Sequence, residues 1–194
     1  MRDSLHEDLV VVLGRCPAEL STTAREWLAV ASDIRSLDRT GEPAHFTASA
    51  LPISADATKV CLVHHRKMGK WVQPGGHFEE GDATVAGAAA REMEEETGLS
   101  GRIDPVPIGL SRHPAPCRPD AWHLDVQLVV VAAEAIPLTS DESEDVAWFP
   151  VDRLPQPLAP GVEVLVARAR VRVSRNGPRG SAVQRTCDAS RNLG

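Results

Sequence analysis

The first forty residues carry a repeating pattern of apolar side chains that is typical of helices. The apolar positions recur at intervals of three and four residues: Leu5, Leu9, Val12 and Leu13. Pro17 interrupts the pattern, and residues 21–23 offer Ser and Thr as a new N-cap before a second helix over 25–34. We therefore predict a helical extension over residues 1–40, which serves either as a cap on the following domain or as the interface of a homodimer.

After this extension the pattern changes to short apolar runs, which are typical of strands. Residues 45–53 and 58–66 form two such runs around the sequence Ser-Ala-Asp-Ala, which favours a hairpin. Two further runs, over 103–112 and 121–133, are joined by a proline-rich loop. Near the end, residues 162–173 are predicted to form a last helix, although their Val-Arg alternation also fits a strand.

One strong helix is predicted between the two sets of strands. Residues 71–77 are rich in Gly and Pro and are predicted to form a loop. The alanine-rich segment Ala83–Thr97 follows, with Asp82 or Thr84 as its N-cap and Gly98 as its stop. Strands on both sides of a central helix, with more helix at the ends, imply an α/β sandwich.

The composition is that of a globular domain with appendages. The 194 residues are 42% hydrophobic and 25% charged, and we expect the domain to span 41–175 and a disordered tail to span 176–194. The net charge of −6 argues against a stable nucleic-acid partner, because nucleic-acid binders usually carry a basic excess. The N-terminus does not resemble a secretion signal, and no apolar run reaches the roughly 18 residues needed to cross a membrane. Four scattered cysteines without a CxxC pair fit free thiols in a reducing cytoplasm better than disulfides or a zinc site, so we expect a cytoplasmic protein.

Three glutamates of the central helix are the first candidates for chemistry. Glu92, Glu95 and Glu96 are related by spacings of three and four residues, so their carboxylates share one helix face. Like charges on one face repel, so such a cluster belongs either on a solvated surface or around bound cations. Oxygen-only clusters suit hard ions such as Mg²⁺ or Mn²⁺ and not Zn²⁺.

The residues around these glutamates favour the second alternative. Gly75 and Gly76 allow a ligand or an ion to approach a peptide carbonyl closely. Arg91 lies beside the acidic face and cannot lose its charge, so it can hold neighbouring carboxylates, such as Asp82 or Glu95, in fixed rotamers through forked hydrogen bonds.

This segment resembles the Nudix box, the signature motif of the Nudix hydrolases. Gly76 matches the opening glycine, and the sequence from Arg91 to Leu99, Arg-Glu-Met-Glu-Glu-Glu-Thr-Gly-Leu, matches the second half of the motif. The segments WVQPGGH before the box and DVAWFPVDRLP after it also resemble the family, and the likeness covers roughly residues 44–155. Two features depart from the motif: Asp82 replaces the first glutamate, and the spacer before Arg91 has eight residues (83–90) instead of seven.

The resemblance implies an architecture and a set of metal ligands. The expected fold is a Nudix-like α/β/α sandwich with a mixed sheet, added to the N-terminal helices. Glu95 and Glu96 would bind Mg²⁺ or Mn²⁺, Glu92 would act as a ligand or as the base that activates water, and the Gly76 carbonyl would complete the shell. The remaining site members implied by the resemblance are Arg91 as a catalytic residue and Glu142, with Glu144 as the second choice, as an outer metal ligand.

Candidate substrate contacts are less specific. Arg66 is the favoured contact to substrate phosphates, although a solvated basic strand end is the competing interpretation, and His77 beside the glycines is expected to line the pocket. Trp71 is a candidate for stacking on a base, while core packing competes with that role. A zinc site built from His113, His123 and Cys117 is the least favoured alternative.

These observations leave three hypotheses for function. The favoured one is a metal-dependent pyrophosphohydrolase that cleaves a phosphoanhydride bond in a nucleoside triphosphate, or in a nucleoside diphosphate linked to another group, by water attack on phosphorus. The second is a Nudix-fold module that binds a nucleotide-like small molecule as a regulator without turnover. The third is an interaction domain whose acidic helix has no chemical role.

Overall fold

The computed structural model describes residues 2–115, 117, 118, 120–141 and 143–176. This part of the chain contains four α-helices, two short 3-10 helices and seven strands. The helices are α1 (Arg2–Gly14), α2 (Ser21–Ala31), α3 (Val85–Thr97) and α4 (Val162–Asn176). The strands are β1 (Ala44–Ile53), β2 (Lys59–His65), β3 (Lys70–Val72), β4 (Gly75–His77), β5 (Gly101–Pro114), β6 (Trp122–Ala132) and β7 (Ser143–Pro150). None of the described helices combines the length and apolar character that crossing a membrane requires.

The strands form one mixed sheet with β1 at its centre. The order across the sheet is β3-β2-β1-β6-β5, and β7 pairs with β2. The pairing of β1 with β6 is parallel over ten residue pairs, from Ala44–Trp122 to Ile53–Val131, and the other pairings are antiparallel. The short strand β4 lies along the middle of β1, where Thr47 faces His77 and Ser49 faces Gly75.

Helices cover both faces of this sheet. Alternate residues of β1 and β6, such as Phe46 and Val126, pack with α1, α2 and α3 in one hydrophobic core. Residues of the opposite parity, such as Leu51 and Val129, pack with α4 in a second core. The molecule is therefore an α/β/α sandwich with a mixed sheet, as the sequence predicts.

The N-terminal helices are part of the first core. Leu5, Leu9 and Trp27 are buried with the apolar side of α3 in the same cluster. The Asp8 carboxylate of α1 accepts a hydrogen bond from the Val85 amide at 2.8 Å, at the first residue of α3. Because the first amides of a helix have no partners inside it, this contact connects α1 directly to the start of the central helix.

Several boundaries differ from the sequence predictions. Residues 71–77 were expected to form a loop, but they contain β3 and β4, because β2 and β1 supply backbone partners that a Gly/Pro-rich sequence does not reveal. Helix α3 begins at Val85, and its N-cap is Thr84, whose hydroxyl accepts a hydrogen bond from the Gly87 amide at 3.0 Å. Helix α2 begins at Ser21, four residues earlier than predicted. The segment from Val162 is a helix and not a strand, and the predicted tail after residue 176 lies outside the described residues.

Candidate active site

Helix α3 presents its acidic side toward β4. Its buried residues, such as Ala89 and Met93, face the sheet, while Glu92 is half-buried and Glu95 is exposed. The helix ends at Gly98, whose φ of +66° is a left-handed conformation that glycine adopts without steric cost. The caps at its two ends set where α3 begins and ends, and so which of its residues face β4.

Arg91 connects α3 to the loop before it. Its Nε and Nη2 atoms donate to the two oxygens of Asp82 at 3.2 and 3.0 Å, in a forked pair. Its Nη1 donates to Glu92 and to Glu95, both at 3.0 Å, and Nη2 also donates to the His77 carbonyl at 3.0 Å. These partners raise the pKa of the Arg91 guanidinium above its ordinary value. Arg91 thus holds two of the candidate carboxylates in place, as the sequence suggests.

Asp82 is a buried acceptor of hydrogen bonds from the loop before α3 and from Arg91. Its side chain is 6% exposed, and one oxygen accepts the Glu79 amide at 2.8 Å in addition to Arg91. The same carboxylate therefore fixes the loop over 79–82 and the Arg91 fork, so it is not the N-cap of α3. The eight-residue spacer is accommodated between Asp82 and Arg91 without separating them.

Glu92 is an acidic residue whose pKa is shifted by burial. Burial raises the pKa of its carboxyl to about 7, and neighbouring Arg91 opposes that rise. The carboxylate lies directly against Gly76, where a Cβ atom would be 2.6 Å from Oε2 of Glu92. A nearby cation would favour the charged form of this buried carboxylate.

Glu96 reaches the other glycine of β4. Its Oε2 accepts a hydrogen bond from the Gly75 amide at 3.3 Å. A Cβ atom on Gly75 would be 2.3 Å from Cβ of Ser49 on β1, so only glycine fits between β1 and the acidic helix at this position. Glu92 and Glu96 therefore meet consecutive residues of one strand.

A substitution of Gly76 tests this close approach. We expect Gly76→Ala to lower the rate of hydrolysis by about tenfold or more, because the Glu92 carboxylate must move to admit the methyl group and small misplacements of reacting groups are costly. Gly81→Ala is the matched control in the same segment, since its Cβ would meet no atom within 4 Å. The steady-state rates of Gly76→Ala and Gly81→Ala are compared with that of the wild type. Equal rates of the two variants would show that the Gly76–Glu92 contact does not matter for activity.

Sequence reasoning missed a buried carboxylate on β6. Asp125 on β6 accepts hydrogen bonds from Thr47 at 3.2 Å and Ser49 at 2.8 Å, and from the amide groups of Gln73 and Gln127 at 3.3 and 3.2 Å. Burial raises its pKa. The available signal was an acidic residue within the apolar run over 121–133, which a buried strand tolerates only with hydrogen-bond partners.

The candidate substrate contacts are dispersed. Trp71 is 9% exposed and packs edge-on against Phe149 in the second core, which favours core packing, the other interpretation of this residue, over stacking on a base. Arg66 is exposed at the end of β2 and donates to the Ser143 carbonyl at 3.1 Å. The His77 ring lies among other histidine rings, on the side of β4 opposite to Glu92.

Of the two candidates for the outer metal ligand, only Glu144 lies among the described residues. Glu142 lies outside the described residues, so its role stays a prediction. Glu144, the second choice, pairs with the His64 ring at 3.0 Å on neighbouring strands β7 and β2.

A cavity of about 900 Å³ lies along α4 and the segment that follows β7. It is lined by residues such as Arg153, Arg170 and Glu163, and no residue of α3 or β4 borders it. We therefore locate the candidate chemistry at the α3–β4 contact and not in this cavity.

Comparison with known proteins identifies the family and the fold of this chain. The model of the NUDIX domain matches residues 43–169. The NUDIX domain of Shewanella oneidensis NrtR, solved in complex with ADP-ribose, superposes with a TM-score of 0.57 at 23% identity, over 70% of this chain and 92% of that one. A MutT NUDIX hydrolase from Burkholderia pseudomallei gives a TM-score of 0.55 at 22% identity, over 66% and 98% of the two chains.

A NUDIX-family hydrolase from Clostridium perfringens is similar to the same extent, with a TM-score of 0.54 at 21% identity over 68% of this chain and 97% of that one. No curated protein matched the sequence. At these identities the solved structures establish the fold, while the match of the domain model over 43–169 establishes the family. The chain belongs to the NUDIX family.

Proposed function

We propose that this protein is a metal-dependent pyrophosphohydrolase that cleaves a phosphoanhydride bond, either in a nucleoside diphosphate linked to another group or in a nucleoside triphosphate. The observation that carries the proposal is the contact between the buried Glu92 carboxylate and Gly76, with Arg91 bound to Glu92, Glu95 and Asp82 beside it. An acidic helix with no chemical role does not need a carboxylate held by an arginine directly against a glycine.

The donor set fits Mg²⁺ or Mn²⁺. Glu92, Glu95 and Glu96 offer carboxylate oxygens along one face of α3, and the Gly76 carbonyl belongs to the strand that they meet. Oxygen donors of this kind suit hard divalent cations. When bound, such a cation polarises phosphoryl oxygens and offsets charge on the leaving phosphate.

The residues of the chain divide the remaining work. Arg91 keeps Glu92 and Glu95 in fixed rotamers, so the carboxylates are oriented before substrate binds. Glu92 is our candidate base for taking a proton from the attacking water, because Arg91 holds its carboxylate in place beside Gly76. Asp82 fixes Arg91 and is a positioning residue.

The choice of substrate class has one external support. The NUDIX domain of NrtR, which shares this fold, was solved with ADP-ribose, a nucleoside diphosphate linked to a sugar. Because loops added to a fold determine its substrate, this likeness guides the screen without fixing the answer.

A substrate panel tests the proposal. Nucleotide sugars, dinucleoside polyphosphates and nucleoside triphosphates are incubated with the full chain and Mg²⁺ or Mn²⁺, and the products are identified by mass spectrometry. We expect turnover within the ordinary range for enzymes, roughly 1–10³ per second on the preferred substrate. Binding of several panel members without turnover would instead support the regulatory-module hypothesis. If the chain neither binds nor hydrolyses any panel member, both the hydrolase and the regulatory-module hypotheses are contradicted.

A further inference from the structure

Four side chains with nitrogen or sulfur donors converge on the face of β4 opposite to Glu92. They are His45 on β1, His77 on β4, Cys117 in the loop between β5 and β6, and His123 on β6. Their donor atoms all lie within 4.8 Å of one another, and they are the only such group of potential ligands in the part of the chain that the structure describes. We name them the Cys/His cluster.

The distances within the Cys/His cluster are those of a tetrahedral zinc site. With Zn–N bonds near 2.0–2.1 Å and Zn–S bonds near 2.3 Å, tetrahedral geometry separates two nitrogens by about 3.4 Å and a nitrogen from sulfur by about 3.5 Å. The Nε2 atoms of His45 and His77 are 3.3 Å apart. Cys117 Sγ lies 3.4 Å from Nε2 of His77, 3.4 Å from Nε2 of His123 and 3.6 Å from Nε2 of His45.

The chemical state of the histidines also suits a metal. His45 is fully buried and His123 nearly so. The Nδ1 atom of His45 lies 3.3 Å from the Gly41 carbonyl, and donation of its proton there leaves Nε2 as a free ligand atom.

We propose that His45, His77, Cys117 and His123 bind one Zn²⁺ ion in a closed structural site, distinct from the oxygen site on α3. Four protein ligands leave no open position for substrate or water, which is the arrangement of structural and not catalytic zinc. A Cys-His nucleophile is the competing interpretation, but it needs one base and does not explain three imidazoles aimed at one point.

The zinc site would connect three segments that are distant in sequence. His45 and His123 are opposite each other in the parallel β1–β6 register, and His77 is one residue beyond Gly76 on β4. A bound ion would therefore connect β4 and the loop after β5 to β1 and β6. It would hold Gly76 in place from the side opposite to Glu92.

Metal analysis of the full chain tests this proposal. The protein is produced with Zn²⁺ in the medium and dialysed, and its zinc content is measured by inductively coupled plasma mass spectrometry. We expect one zinc ion per chain. Replacement by Co²⁺ should give the strong visible bands of a tetrahedral site and a thiolate-to-cobalt charge-transfer band. Zinc retained by the wild type and a tetrahedral cobalt spectrum support the site, whereas a dialysed wild type without zinc, or an octahedral spectrum, overturns it.

Matched variants identify the ligands. Cys117→Ser should lose the charge-transfer band and stoichiometric zinc, while Cys16→Ser, which alters another free cysteine, should keep both. His113→Gln is the second control, because its ring contacts His123 at 5.2 Å between ring centroids but is not a member of the Cys/His cluster. Unchanged zinc content in Cys117→Ser would overturn the ligand assignment.

Two further measurements keep the test independent of folding and of catalysis. If Cys117→Ser does not fold, the wild type stripped with a chelator is titrated with Zn²⁺, and its melting temperature should rise by mass action, while no rise would contradict the site. Glu96→Gln should retain its zinc whether or not it hydrolyses substrate. A failure of the proposed function is therefore distinguishable from a failure of the zinc site.

Discussion

Replacing Glu96 with glutamine is expected to reduce Mg²⁺-dependent hydrolysis by about 10²-fold or more while leaving the melting temperature unchanged. The substitution removes a ligand charge at nearly constant volume, and loss of a few kcal/mol of charge stabilisation corresponds to a decrease of this size. The amide oxygen of glutamine can still accept the hydrogen bond that the Gly75 amide donates to Glu96. Phosphate release with saturating Mg²⁺ and substrate measures the effect.

Glu94→Gln is the matched control for this variant. It makes the same change of charge on the same helix, at an exposed side chain outside the set of Glu92, Glu95 and Glu96. We expect it to hydrolyse substrate at the rate of the wild type. Full activity of Glu96→Gln would show that the site is wrongly assigned, and an equal loss in Glu94→Gln would attribute the effect to net charge.

The second large effect is on stability. Arg91→Met should lower the free energy of unfolding by about 3 kcal/mol, because it leaves Asp82 charged, buried and without its partner. The guanidinium is 21% exposed, which places the estimate at the low end of the range for buried pairs. The stability of Arg91→Lys should lie between that of the wild type and that of Arg91→Met, since an ammonium keeps the charge but cannot form the forked pair of hydrogen bonds with Asp82. Urea unfolding measures all three proteins.

The exposed pair of Arg35 and Asp33 offers a control for burial. It has a comparable forked geometry, but its side chains are 81% and 48% exposed, so Arg35→Met should not measurably change the unfolding midpoint. Arg91→Met combined with Asp82→Asn should recover most of the stability lost in Arg91→Met, because the uncompensated charge is gone. Without that recovery, the loss comes from Arg91 packing or from its contact with the His77 carbonyl.

The features that sequence reasoning predicted well depend on nearby residues. Helix α3 carries its own signals, with a threonine cap before it, alanines through it and Gly98 in a left-handed conformation after it. The Arg91 fork was also foreseeable, because an arginine next to an acidic helix face has few other partners. The sequence offers both Asp82 and Thr84 as N-caps of α3, and in the structure Thr84 caps the helix while Asp82 binds Arg91.

The features that it missed depend on residues distant in the chain. Strands β3 and β4 exist because β2 and β1 pair with them, and a short Gly-rich segment has no periodicity of its own. His45 and His123 are neighbours only through the β1–β6 register, 78 positions apart, so the sequence analysis grouped His123 with His113 instead. In each case the missing information is the strand pairing, which residue spacing alone does not contain.

The position of the N-terminal helices has a practical consequence for anyone who shortens this protein. The family match begins at residue 43, but Trp27 packs edge-on against Phe46 at 5.8 Å and Leu9 is fully buried in the same core as Met93. Cutting the chain at the start of the match would remove α1 and α2 from the first core and expose to water the apolar side chains that they cover. Such a fragment should aggregate, because exposed patches of that kind drive association.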